Sequence, residues 1–144
     1  MATNPLVECA TGTTITFGTS AFTANLMKVG WKGIKRGSID TTHMGTAVVS
    51  GTKFGDRTYI PTTLSDPGEI DIEIHFNPDK LPPIDKAAET ITVTFPLATG
   101  LATAPTWAGT GFMTEFSFEA PLEDKMTGTG KLKMSGNITI TVAT

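Results

Sequence analysis

At 144 residues, with 17% charged side chains and a net charge of −3, the chain is one domain long and large enough to bury its own core. It lacks the basic surplus that a phosphate-gripping protein needs, and no run approaches the ~18 apolar residues of a membrane span. Its single cysteine, Cys9, excludes an intrachain disulfide and reads as a buried or half-buried free thiol.

Threonine, at 27 residues, and glycine, at 15, dominate the composition. Threonine favours strands and glycine supplies corners, so the expected architecture is many short strands joined by tight turns. Charges fall well below the ~25% of an average chain, which leaves a polar but weakly repulsive surface suited to self-association. The first residues, MATNPLVECATG, carry neither the basic start nor the apolar core of a secretory signal. Folding in the cytoplasm is the expectation.

Met1–Gly12 reads as an N-terminal arm, followed by a short strand over Thr13–Phe17. Ala21–Trp31 stays open between a strand and an irregular segment. Ile34–Thr42 reads as a strand, with Ile39 on one face and Arg36, Ser38 and Asp40 on the other. His43–Thr63 then forms a connection far longer than a hairpin turn, and long loops of this kind are usually functional. It holds Val48, Val49, Phe54, Arg57 and Tyr59, and aromatic and arginine side chains of this kind are enriched at interfaces.

The clearest signal is Leu64–Pro78. Asp66-Pro67-Gly68 supplies turn chemistry, after which Ile70, Ile72, Ile74 and Phe76 alternate with Asp71, Glu73 and His75 until Asn77-Pro78 stops the strand. One oily and one wet face mark an antiparallel sheet. Leu81–Glu89 is the only helical candidate, two turns at most. Thr90–Phe95 is a strand closed by Pro96, and Leu97–Pro105 is a loop of small residues. Thr106–Ala120 alternates again, Phe112, Thr114, Phe116 and Phe118 against Met113, Glu115, Ser117 and Glu119. After the turn at Pro121–Asp124, Thr129–Ser135 sets Leu132 and Met134 against Lys131 and Lys133. Gly136-Asn137 leads to a last strand, Ile138–Val142. No internal repeat or linker divides residues 1–144.

Chemistry is thin along this chain. His43 and His75 have no spaced partner, and with Cys9 they match no zinc-type spacing. Asp71 and Glu73 lie two apart on one strand face, where a solvated face is the simpler reading than a paired-carboxylate site. Gly30 and Gly33 make no nucleotide-binding pattern. Trp31 and Trp107 fit either a carbohydrate platform or core anchors. The residues point to a protein that is not an enzyme and needs no cofactor.

The ordered features resemble the major tail tube proteins of long-tailed bacteriophages. The resemblance runs through Arg36–His43, the long loop after it, Leu64–Pro78, Thr92–Pro96, Gly111–Met113 and the closing Gly136–Thr139, nearly the whole chain. It implies a mainly β protein, an antiparallel β-sandwich or half-barrel with one short flanking helix and a long inter-strand loop. Six copies would form a ring, and rings would stack into a virion tail tube through which double-stranded DNA passes without specific binding. Tape-measure, tail terminator and tail-tip proteins would be the partners, assembled in the host bacterial cytoplasm, with no membrane involved. Ile34–Thr42, Glu69–Phe76, Gly111–Glu119 and Thr129–Ser135 map onto the strands lining the bore. Twenty-four strands at the usual spacing give a circumference of ~115 Å and a backbone diameter of ~37 Å, wide enough for a duplex.

On that mapping Asp71, Glu73, Glu115 and Glu119 would face the lumen, with Lys131 and Lys133 departing from an otherwise acidic lining. The carboxylates would repel phosphate over a Debye length of ~8–10 Å. The loop residues Val48, Val49, Phe54, Arg57 and Tyr59 would contact the next ring. A secretion or contractile-injection tube ring is the nearest alternative, and a carbohydrate-binding β-sandwich module a more distant one.

Overall fold

The computed structural model describes residues 11–22, 25–43, 55–97 and 100–144. Its strands are β1 (Thr14–Phe17), β2 (Leu26–Lys32), β3 (Lys35–Asp40), β4 (Tyr59–Asp66), β5 (Glu69–His75), β6 (Glu89–Thr94), β7 (Thr106–Glu119) and β8 (Thr127–Thr141). Six of them form one antiparallel sheet in the order β1-β6-β7-β8-β5-β2, curled into a half-barrel, while β3 and β4 pair as a separate two-stranded sheet.

The alternation in β5 dictates its place. Ile70, Ile72 and Ile74 are at most 1% exposed, each worth ~2 kcal/mol of burial, while Asp71, Glu73 and His75 stay on the outer side. The concave side of the large sheet gathers these isoleucines with Ile15, Phe22, Ile91, Val93, Met113, Leu132 and Met134. Curvature depends on small residues where β7 crosses β8. A β-carbon on Gly111 would lie 2.6 Å from the Met134 sulfur and 2.8 Å from the Lys133 carbonyl oxygen. Only glycine lets those strands close on the core there.

Bulges account for two departures from the expected strands. Met113 faces Leu132 but Glu115 faces Lys131, so Thr114 is an extra residue in β7. One inserted residue flips the parity upstream of it. Met113 is therefore buried and Phe112 is 40% exposed, the reverse of the expected alternation, whereas Phe116 packs inward. Thr129–Ser135 and the expected last strand, as far as Thr141, are likewise one strand, because residues 136–138 bulge opposite Gly109 and pairing resumes at Thr139 with Ala108.

Two other expectations are corrected. Among the described residues there is no helix: Leu81–Glu89 runs as turns into β6, with the Ile84 N–H bonded to the Pro82 carbonyl at 2.8 Å. Pro82 and Pro83 lack the N–H groups that a helical turn would use. The long connection is also shorter than expected, because Tyr59–Thr63 belongs to β4 and pairing continues through the Thr41 N–H to the Thr58 carbonyl, 2.8 Å. Of Ala21–Trp31, open in sequence, the part from Leu26 onward forms β2 on the edge of the large sheet.

Candidate assembly surface

The outer face of β7, β8, β5 and β2 carries the charged residues in register. Lys32, Glu69 and Lys133 form one row, with Phe112 beside them; Gly30, Asp71, Lys131 and Glu115 form the next. Lys28, Glu73, Thr129 and Ser117 make a third, and His75, Thr127 and Glu119 a fourth. All six predicted residues, Asp71, Glu73, Glu115, Glu119, Lys131 and Lys133, therefore share this face, away from the protomer's core.

The face is not the acidic one expected. Lys28 and Lys32, on a strand that sequence left undecided, add two cations to Lys131 and Lys133. Signs alternate strand by strand: lysines on β2, carboxylates on β5, lysines on β8, carboxylates on β7. Cross-strand opposite charges support pairing, and like charges would oppose it. Lys32 Nζ meets Asp71 Oδ2 at 2.5 Å, and Lys131 Nζ lies 3.9 Å from Glu115 Oε2. The hydrogen bond and charge of Asp71 hold the Lys32 ammonium above its ordinary pKa. Lys133 reaches back to Asp66 at 3.5 Å, off the face. Ser117 and Thr129 bond through their hydroxyls at 2.7 Å. Because Gly30 has no side chain, a trough of about 440 Å³ opens between Lys28, Lys32, Asp71, Glu73, Glu115 and Lys131.

The strand Ile34–Thr42, expected on this surface, is elsewhere. Among the described residues Lys35–Asp40 pairs only with β4, and β2 takes the position beside β5. The reason lies where the β4–β5 turn packs against the corner between β2 and β3. Asp66 Oδ1 accepts the Gly68 N–H at 2.8 Å, and Gly68 turns at φ +87° against the Lys32 carbonyl. That N–H, then Lys133, holds the Asp66 carboxyl below its ordinary pKa.

β3 and β4 form an arm with its own apolar surface. Ile39 and Ile60 face each other across the ladder, and both are about half exposed, as are Ile34 and Tyr59; Leu64 is 81% exposed. Arg57, expected as an interface anchor, is held at the end of the arm away from the large sheet by Asp40, Nη1 to Oδ2 2.8 Å. Thr42, through its side chain and its N–H, followed by Arg57, lowers the Asp40 pKa. Val48, Val49 and Phe54 lie outside the described residues.

Sequence reading missed Glu89, which begins β6 with its side chain turned inward and 9% exposed. It accepts hydrogen bonds from the Thr19 hydroxyl at 2.5 Å, the Ser20 hydroxyl at 3.0 Å and the Ser20 N–H at 3.3 Å, so it fastens the segment after β1. A lone Glu after two alanines gives no local signal of that. Trp31 and Trp107 are half-buried and pack edge-to-face at 5.7 Å, with Trp31 Nε1 donating to the Pro67 carbonyl at 2.7 Å. They face each other instead of forming an open platform. Among the described residues no three His, Cys, Asp or Glu side chains gather as a metal site.

No protein-family model matches the chain, and no curated protein matches it in sequence. Its fold, however, is that of known assemblies. It is similar to a chain of the sheath/tube terminator of an extracellular contractile injection system (PVC, extended state), with TM-score 0.71, 13% identity, and 96% of this chain and 99% of that one covered. The tube-terminating cap of the anti-feeding prophage gives TM-score 0.70 and 14% identity, covering 99% of this chain and 95% of that one. A chain of the PVC sheath–tube complex gives 0.62 and 16%, covering 90% and 88%. At these identities the likeness shows a shared fold.

Proposed function

We propose that this chain is a structural, non-enzymatic subunit of a phage-like tail or injection tube, and that it sits in a ring terminating the tube. The observation that carries the reading is a single one: a fold matched end to end by terminator and cap chains, holding a continuous polar face on β7, β8, β5 and β2 outside its own core. Stronger likeness to the two terminating proteins than to the sheath–tube chain favours the end of the tube over its repeating rings. Neighbouring tube and sheath subunits are the partners this implies.

In such a ring the polar face lines the bore. Four lysines set against five carboxylates across the face leave it nearly neutral and give a polyanion little purchase, so passage would rest on self-neutralisation rather than on repulsion by an acidic wall. The arm extends the contact to an adjoining ring. A two-stranded sheet is marginal alone, and the exposed Ile39, Ile60 and Leu64 supply apolar surface that a neighbour would cover, with Tyr59 on the other face.

Electron microscopy of the concentrated protein tests the placement. Single rings or short stacks are expected. Long regular tubes would instead make it a repeating tube subunit, the reading that the tail tube resemblance favours. A monomer at every concentration would contradict both.

A further inference from the structure

Among the described residues the charged face of the large sheet, on β2, β5, β8 and β7, has two open edges, and they differ in sign. β2 ends the strand order, with Lys28 and Lys32 on its polar face. At the other side β6 covers β7 only through Thr106–Gly111. Beyond that, Glu115–Glu119 pairs with β8 and has no strand on its far side among the described residues, and it carries Glu115 and Glu119. Unpaired backbone groups on both edges are a template for strand addition.

We propose that β2 of one copy adds to the Glu115–Glu119 edge of β7 in the next copy, joined by a charge seam of Lys28 against Glu119. The inference rests on the ring reading above and supplies its subunit contact. Strand direction allows it: β7 and β5 run one way and β8 and β2 the other, so a rotation that continues the sheet sets β2 antiparallel to the neighbour's β7. Charge favours it as well. The order plus, minus, plus, minus across β2, β5, β8 and β7 repeats unbroken when the next β2 follows β7. Lys28 and Glu119 are both exposed, and neither has an ion pair among the described residues, whereas Lys32 and Glu115 are engaged within the protomer. The contact joins two different patches, so repeating it builds a ring when the rotation per copy closes, as the ring reading requires.

Mass photometry of full-length wild type, Lys28→Glu and Glu119→Lys tests this, with circular dichroism confirming folding. Wild type assembles, and each single reversal raises the concentration at half-assembly about tenfold or more by opposing like charges. An equimolar mixture of the two variants then assembles, because each negative edge meets a positive one, and the double variant K28E/E119K assembles by itself. Single variants that assemble like wild type, or folded variants that stay apart when mixed, overturn the seam while leaving the ring reading standing. Wild type that never assembles overturns the ring reading and the seam with it. Should a reversal unfold the chain, Lys28→Gln and Glu119→Gln carry the test: added salt weakens wild-type assembly but leaves theirs unchanged, and equal salt sensitivity overturns the seam.

Discussion

Gly68 and Glu89 bear more of the fold than their neighbours. Gly68 is left-handed, and any β-carbon there overlaps the Lys32 carbonyl, so Gly68→Ala combines a strained φ with a backbone clash. A loss of ~3 kcal/mol in urea unfolding is expected, and a change inside ~0.5 kcal/mol would show that the β4–β5 turn does not pack tightly on the corner between β2 and β3. Glu89→Ala leaves the Thr19 and Ser20 donors without their acceptor beside the core. It should cost ~2 kcal/mol and loosen the segment around Phe22 first, visible as lost protection of the Ser20 amide. An unchanged unfolding midpoint would remove Glu89 from that role.

At the scale of elements, the arm and the large sheet respond differently to acid. Asp40 and Asp66 sit at the two ends of the β3–β4 pairing, and both have folded pKa values below the ordinary 3.8. A depressed carboxyl stabilises the fold fully above the unfolded value, and that contribution fades as pH falls through the folded one. Arm amide resonances should therefore shift below pH 3.8 before those of β5 change. Simultaneous loss of both would mean the arm has no separate electrostatic support. Lys32 works in the other direction: its raised pKa stabilises the fold below 10.5 and ceases to do so as pH rises through the folded value.

The same elements explain what sequence could reveal. The β5 strand was legible because each inward position is an isoleucine and each outward one is polar, with turn residues at both ends. Thr114 hid the parity of β7, since nothing local distinguishes a bulging threonine from a paired one. Threonines and prolines made β4 look like loop, because its partner β3 is set by a register with Gly37 facing residues 62–64. β2 stays undecided in sequence for a related reason: Gly30 interrupts its pattern, so Lys28 and Lys32 cannot be assigned to the outer face.

Over the whole molecule, the six-stranded sheet divides its work by side. Its concave side is a closed aliphatic and aromatic core; its other side carries an alternating charge lattice ending in two complementary open edges. Whether that lattice lines a channel is the central claim, and Glu73, exposed in the middle of it, is the place to ask. Size-selective thiol labelling of Glu73→Cys in a Cys9→Ala background, on assembled rings, tests the claim directly. Small maleimides should react, while a polymer-linked maleimide too wide for the bore should react only after the rings are dissociated. Equal labelling by both reagents on intact rings would place this face on the outer wall and contradict the account.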